Sequence, residues 1–208
     1  MMSNVQRTIY PTRNNQLVET FDAVFTPAEC QQFIDLSEQK GYEAATITLG
    51  RNHFELRTEV RNNDRVIYDD VQLAEQLFAR LRDLLPAQLH GWDLFGLNER
   101  FRFYRYQSGQ TFKPHWDGIY ARSDWESSQL SLLIYLSADF VGGETIFYQD
   151  TAMRKPCVET RQAVVVPQQG QVLIFEHQQL HEGAPVTSGI KYVLRTDVMY
   201  KHRWAAEK

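Results

Sequence analysis

The sequence predicts an α+β protein. An antiparallel β-sandwich or barrel occupies the second half of the chain, with helices from the first half against one outer face. Six segments after residue 97 are rich in β-branched or aromatic residues and bounded by Gly, Pro, Ser or Asp: 100–106, 129–137, 144–148, 163–167, 171–176 and 190–200. Their number and spacing suit an antiparallel sandwich or barrel. Two helical patterns precede them, and helices before strands place the helices as buttresses of the sheet.

Each element has a local reason. Thr26 can cap a helix, Pro27 suits its first position and Glu29 completes a capping box. Cys30, Phe33, Ile34 and Leu36 then give a mainly apolar face, and Gly41 can end the helix. A second helix is expected over 71–85, with Asp70 as cap and Leu73, Leu77, Phe78, Leu81 and Leu84 as its buried stripe. Pro86 stops it. Segments 45–50 and 64–70 read as short strands between the helices, and 166–171 (VPQQGQ) as a hairpin turn. Residues 1–16 are polar and read as a flexible arm. The rest, 17–208, reads as one domain, with 17–96 as helical and strand support and 97–201 as the β core.

Composition narrows the classes of function. No stretch approaches the roughly 18 apolar residues of a membrane helix, and the N-terminus lacks the apolar core of a secretory signal. Two cysteines, Cys30 and Cys157, give neither a disulfide framework nor a Cys-x-x-Cys pair, so a reducing cytoplasm is the expected compartment. A net charge of -4 without a long Lys/Arg cluster argues against a nucleic-acid partner, though a local patch can coexist with an acidic total.

Three pieces carry chemistry. In Lys113-Pro114-His115-Trp116-Asp117-Gly118, an extended backbone turns residues i and i+2 to one side. His115 and Asp117 can thus offer an imidazole and a carboxylate to one metal, while Trp116 points away and packs. Alone, such a pair reads as two polar residues on a solvated strand. His181 follows the strand 171–176, and a rolled sheet can bring it opposite. Two His and one carboxylate on one face of an octahedron leave open positions, which suits iron(II) that must bind a cosubstrate and O₂. Finally, Lys191, Arg195 and Asp197 share one parity on an otherwise apolar strand. This reads either as the solvated face of an edge strand or as buried charge in need of partners, which a dicarboxylate cosubstrate would supply to Lys191.

Taken together, these segments resemble prolyl 4-hydroxylase-type 2-oxoglutarate/iron(II) dioxygenases. Residues 104–118 (YRYQSGQTFKPHWDG) look like that family's metal-binding strand pair. GGETIF (142–147) and HEGAPVTSGIKYVLRTDVMY (181–200) look like its later motifs. The segment from FDAVFTPAEC to VIYDD is similar to its leading helices and strands, so the resemblance covers residues 20–201. The joint occurrence of His-x-Asp, Gly-Gly-Glu-Thr, a distal His and a Lys ten residues later is specific, whereas any one alone is weak.

The resemblance implies a double-stranded β-helix, jelly-roll-like in form, with supporting N-terminal helices. It makes His115, Asp117 and His181 the iron ligands. Lys191 would pair with the C5 carboxylate of 2-oxoglutarate, and Tyr106 and Thr145 would hydrogen-bond it. The implied cofactors are Fe(II), 2-oxoglutarate and O₂, with ascorbate as a supporting reductant. The implied reaction hydroxylates an unactivated C–H and releases succinate and CO₂. His177 is the decoy nearest to His181, while His53, His90 and His202 are expected to be dispensable.

The sequence departs from the family's pattern at Arg195, where a small residue is usual, and at Asp197, where an aromatic is. These two either pair with each other, reach a charged substrate, or share the cosubstrate with Lys191 in the case of Arg195. Substrate candidates are a prolyl or other protein side chain, or an amino-acid-like metabolite. Alternatives to the hydroxylase are a non-catalytic binding module on the same barrel and a nucleic-acid demethylase of the same chemistry. Oligomeric state is not legible.

Overall fold

The structure, a computed structural model, describes residues 5–13, 15–50, 53–150 and 156–202, with the side chains of 48–50 and 53–54 excepted. Two antiparallel sheets dominate it. In the larger, the strands run side by side in the order Arg7–Ile9, Val18–Phe21, Val172–Glu176, Glu126–Tyr135, Lys191–His202, Arg100–Tyr106, Asp64–Asp69 and Glu43–Ala44. In the smaller, the order is Phe112–His115, His181–Gly183, Thr145–Tyr148 and Arg161–Val165. This architecture fits a double-stranded β-helix.

Parity in the three central strands of the larger sheet separates two cores. Phe101, Phe103, Leu130, Leu132, Ile134, Leu194 and Val198 face one side and join a cluster with Cys30, Ala74, Leu77 and Leu81 of the helices. Tyr104, Tyr106, Leu133, Tyr135 and Val193 face the other side, where they pack with Phe147 and Val165 of the smaller sheet. Side chains on a strand alternate between faces, so strands covered on both sides read as nearly continuous apolar runs. The polar residues that interrupt these runs on the second face therefore lie between the sheets.

The helices begin where their caps predict. Helix α1 spans Pro27–Lys40, with Glu29 N–H donating to Thr26 Oγ1 at 3.3 Å and Thr26 N–H donating to Glu29 Oε2 at 2.8 Å. Helix α2 spans Val71–Leu81, capped by Asp70 Oδ1, which accepts from Leu73 N–H at 2.9 Å. It ends earlier than the expected Leu85, because its last turn tightens to a 3₁₀ turn over Arg82–Leu84 ahead of Pro86.

Three expectations need correction. Part of the polar arm is a strand: Arg7–Ile9 pairs with Val18–Phe21, and Arg7 forms a two-toothed ion pair with the buried Glu19 at 2.6 and 2.9 Å. Polar composition hid a sheet edge that a single cross-strand ion pair secures. Residues 166–171 do turn, with Gly170 at φ +79°, but not as a hairpin. The strand before them pairs in the smaller sheet and the strand after them in the larger. A side chain at Gly170 would meet the Phe25 carbonyl oxygen at 2.0 Å, so this crossing requires glycine. Trp116 does not pack: it is 54% exposed, because it lies beyond the end of the Phe112–His115 strand with no sheet behind it.

Candidate active site

His115 ends its strand directly opposite His181, the first residue of the neighbouring strand. Phe112 stacks flat on the His115 ring, with centroids 3.4 Å apart. Each imidazole is oriented from behind. His115 Nδ1 lies 2.8 Å from the Lys113 carbonyl and His181 Nδ1 lies 2.9 Å from the Gln179 carbonyl. A carbonyl only accepts, so both Nδ1 atoms carry the hydrogen and both Nε2 atoms present a lone pair.

Those lone pairs converge on Asp117. His115 Nε2 is 3.9 Å from Oδ1, and His181 Nε2 is 3.7 Å from Oδ2. Asp117 lies just past the strand, where its N–H donates to the His177 carbonyl at 3.1 Å. Burial pushes the pKa of both imidazoles down, that of His115 well below its ordinary value, against the pull of Asp117. Burial alone would raise the Asp117 carboxyl, but the Arg195 guanidinium, both imidazoles and the Ser131 hydroxyl hold it below the usual carboxylate range. Two imidazole Nε2 atoms and one carboxylate thus face each other across the site. The donor atoms lie within 4.8 Å of one another. Lone pairs facing lone pairs in a buried site repel unless a cation sits among them, and the Nδ1–carbonyl contacts are the backing that metal-binding histidines use. The set fits a divalent metal of the kind that two His and one carboxylate hold with open positions.

The three donors open on a narrow recess between the sheets. Tyr104, Tyr106, Leu133, Thr145, Lys191 and Arg195 also line it. Lys191 is 3% exposed, and its Nζ donates to the Gly143 carbonyl at 2.5 Å, with the rings of Tyr106 and Tyr135 centred 5.3 and 5.4 Å away. No carboxylate among the described residues forms an ion pair with it, and burial, opposed by the more distant charge of Glu144, pushes its pKa down to about 7. Thr145 Oγ1 is 2.7 Å from the Tyr135 hydroxyl. The structure therefore brings Tyr106, Thr145 and Lys191 together in the lining of the recess.

Arg195 and Asp197 are buried on the same strand face. Arg195 Nη2 reaches Asp197 Oδ1 at 3.0 Å, Asp117 Oδ2 at 3.2 Å and Ser131 Oγ at 3.2 Å. Asp197 Oδ2 accepts in turn from Asn98 Nδ2 at 3.1 Å and Arg102 Nη1 at 3.3 Å. The strand is internal, flanked by Glu126–Tyr135 and Arg100–Tyr106, so the solvated-edge reading of this face is wrong.

Among the described side chains, no other histidine ring joins the three donors. His177 is buried with both ring nitrogens engaged, Nδ1 to Ser131 Oγ at 2.9 Å and Nε2 to Ser128 Oγ at 2.8 Å. His90 meets Glu176 at the surface, and His202 packs edge-on against Trp92. The side chain of His53 lies outside the described residues. Ser131 and Tyr135 escaped the sequence reading, and so did Arg61, whose guanidinium lies over the rings of Tyr104 and Phe112. The first two had a signal, since Ser131, Leu133 and Tyr135 share the parity opposite to Leu130, Leu132 and Ile134 on one strand. Arg61 had none.

Comparison with known proteins agrees with this geometry. Residues 101–206 match the 2OG-Fe(II) oxygenase superfamily. Probable prolyl 4-hydroxylase 7 of Arabidopsis thaliana is 24% identical over 210 residues, which cover 88% of this chain and 64% of that protein. The chain thus spans less than two thirds of that relative's length. Among solved structures, the viral collagen prolyl hydroxylase of Paramecium bursaria chlorella virus-1 with 2OG is 20% identical, with a TM-score of 0.61 over 92% of this chain and 99% of that one. A Trichoplax adhaerens prolyl hydroxylase in complex with a hypoxia-inducible factor peptide is 17% identical, with a TM-score of 0.65 over 91% and 85%. At such identities the structural likeness speaks to the fold.

Proposed function

Because the chain belongs to the 2OG-Fe(II) oxygenase superfamily, we propose that it is a hydroxylase in which His115, Asp117 and His181 hold iron(II) and Lys191 receives the far carboxylate of 2-oxoglutarate. The observation that carries this reading is the convergence of two imidazole nitrogens and a carboxylate in one recess that also holds the buried Lys191 amine, which has no ion pair among the described residues. An ammonium without a counter-ion is costly in a dry pocket, and a ligand carboxylate removes that cost through a charge-assisted hydrogen bond. Thr145 and Tyr106 add neutral donors around the same group.

Bound iron with 2-oxoglutarate and O₂ supplies the oxidising power, releasing succinate and CO₂ as a C–H bond is hydroxylated. The chain's own residues orient and exclude. The Lys113 and Gln179 carbonyls fix the two imidazoles, Ser131 and Arg195 fix the carboxylate, and Phe112 shields the His115 ring. Leu133 and Val193 line the middle of the recess and keep it apolar. The substrate is a protein side chain or an amino-acid-like small molecule, and no nucleic acid is required. The test is formation of succinate from 2-oxoglutarate with Fe(II), ascorbate and O₂, with products checked for one added oxygen atom. A protein that binds neither Mn(II) nor 2-oxoglutarate and makes no succinate would be the binding module instead.

A further inference from the structure

The pocket-facing surface of the larger sheet divides by charge. Residues directly opposed on neighbouring strands share a face. Tyr106 stands opposite Lys191, Tyr104 opposite Val193, and Arg102 opposite Arg195. One strand further, Arg65 stands opposite Tyr104. Lys191 and Arg195, four residues apart on one strand, are separated by about 13 Å. The Lys191 end is aromatic and neutral apart from its ammonium. The rest of this sheet face carries Arg65, Arg102 and Arg195 around Tyr104, of which Tyr104 and Arg195 line the recess itself, and a fourth guanidinium lies behind Tyr104 and Phe112 of the lining: Arg61 is 4.6 Å from the centre of the Tyr104 ring and 4.3 Å from that of Phe112.

The acids here do not match the arginines. Asp117 and Asp197 take up Arg195, and Asp197 also takes Arg102. Arg61 and Arg65 have no carboxylate among the described residues. Among the described residues the Arg61 guanidinium donates only to Asn63 Oδ1, at 2.8 Å, and its Nη2 is buried without a partner, the residue being just 4% exposed. Arg65 is held by Thr46 alone, through its hydroxyl at 3.1 Å and its carbonyl at 3.5 Å. The crowding is felt by the groups themselves. Burial, then Arg61, Arg102 and Arg195, push the Arg65 pKa down, while Arg195, Arg61 and Arg102 overcome burial to bring the Tyr104 phenol below its ordinary value. Iron(II) and the 2-oxoglutarate dianion cancel one another in charge, so loading the site leaves this excess of arginine in place.

We infer that the substrate carries a carboxylate, received by Arg61 and Arg65 beside Tyr104, so that the enzyme oxidises a C–H bond near an acidic group. This rests on the reading of the site proposed above. A guanidinium presents a planar fork that a carboxylate matches with two hydrogen bonds, and an orphaned, buried Nη2 is a donor already desolvated for that purpose.

The experiment uses the full chain loaded with Mn(II) and 2-oxoglutarate under argon, so that both sites are filled and no turnover occurs. Binding of N-acetylglutamate is compared with that of its diamide, and of acetyl-Glu-Pro-Glu-amide with its glutamine counterpart. We expect an acid to bind at least about tenfold tighter than its amide. The preference should collapse in Arg61→Gln and in Arg65→Gln and be only partly kept in Arg61→Lys, which retains the charge but not the two-pronged fork. Whichever acid wins tells a free metabolite from a peptide. Equal binding of acids and amides, or an Arg61→Gln that weakens 2-oxoglutarate and leaves acid preference intact, overturns the inference. So does tighter binding of a short single-stranded oligonucleotide than of either acid. Failure to load Mn(II) and 2-oxoglutarate at all would instead overturn the reading of the site, and the inference with it.

Discussion

Lys191 and Arg195 share one strand and one face, yet their surroundings are opposite. Lys191 has a single carbonyl and two aromatic rings for company, and burial brings its pKa to the edge of losing its proton near neutrality. Arg195 touches two carboxylates and a hydroxyl, and those carboxylates overcome burial to hold its charge more firmly than usual. A buried cation that the protein pairs with its own acids is part of the framework. One that the protein leaves unpaired is shaped for something that arrives. The first describes Arg195, which with Ser131 fixes Asp117, and the second describes Lys191. Of the roles open to Arg195 and Asp197 from sequence, the contacts favour the internal pair.

The largest effect should appear where neither cation can compensate. His115→Ala, Asp117→Ala and His181→Ala should each abolish succinate formation. Each should also weaken Mn(II) binding by more than the roughly 10–100-fold that outer-shell changes cost. His177→Ala removes a ring that shares only Ser131 with Asp117 and keeps the backbone carbonyl that accepts from Asp117 N–H, so it should retain metal binding. A titration showing the reverse for His177 and His181 would move the distal ligand.

Next, the two cations should separate by what they break. Arg195→Leu leaves Asp117 and Asp197 buried with reduced compensation, and losing one member of a buried ion pair costs about 3–5 kcal/mol. A marked fall in the denaturation midpoint of the metal-free protein is expected. Lys191→Met removes a buried charge that has no acid partner, so the same midpoint should hold or rise. Its cost should fall on the cosubstrate, with a requirement for 2-oxoglutarate raised roughly 10–100-fold, as losing a hydrogen bond to a charged group implies. If Arg195→Leu is as stable as the parent but needs more 2-oxoglutarate, the two roles have been exchanged.

How far the sequence reached follows from the same physics. The six late segments and both capped helices were legible because period and caps are local signals. The candidate trio of His115, Asp117 and His181 came from His-x-Asp and a distal His, and the resemblance joined them, since His-x-Asp alone carries little. The strand at Arg7–Ile9 was not legible, because its pairing rests on a partner ten or more residues away and on one ion pair with Glu19. Nor was Arg61, whose position depends on the Arg61–Phe112 bridge between distant segments. The separate sheets joined by Gly170 were missed because the same turn residues serve a hairpin and a crossing.

The Lys191 proton provides a smaller and pH-dependent contrast. In the ligand-free fold its pKa is pushed from 10.5 down to about 7. Between those values the unfolded chain binds more protons than the folded one, so stability rises with pH across that window and is lost again as pH falls towards 7. Binding a dianion favours the charged form, and above about pH 7 it must draw a proton with it. The apparent affinity for 2-oxoglutarate, measured with Mn(II) under argon, should therefore fall by up to about tenfold per pH unit above 7. Lys191→Arg, always charged, should flatten that slope. An equally steep decline in Lys191→Arg would assign the titration elsewhere.

The smallest effect tests whether the Lys191 end acts as one cradle. Thr145 and Tyr135 share a hydrogen bond of 2.7 Å, which fixes the direction in which the Thr145 hydroxyl can serve a ligand. Thr145→Val keeps the shape but removes that hydroxyl and leaves the Tyr135 hydroxyl without its partner. Tyr135→Phe leaves Thr145 present but free to rotate. A neutral hydrogen bond contributes about 0.5–1.5 kcal/mol, so the 2-oxoglutarate requirement should rise roughly two- to tenfold in Thr145→Val, and less in Tyr135→Phe. Tyr106→Phe, which loses one phenol hydroxyl at the same end, should fall in the Thr145→Val range. None of the three touches Asp117 or the two imidazoles, so Mn(II) binding should stay at the parent value in each. The comparison fails if Tyr135→Phe outweighs Thr145→Val, because the hydroxyl that meets the ligand would then be that of Tyr135. It fails more deeply if either variant weakens Mn(II), since the two ends of the recess would no longer be separable.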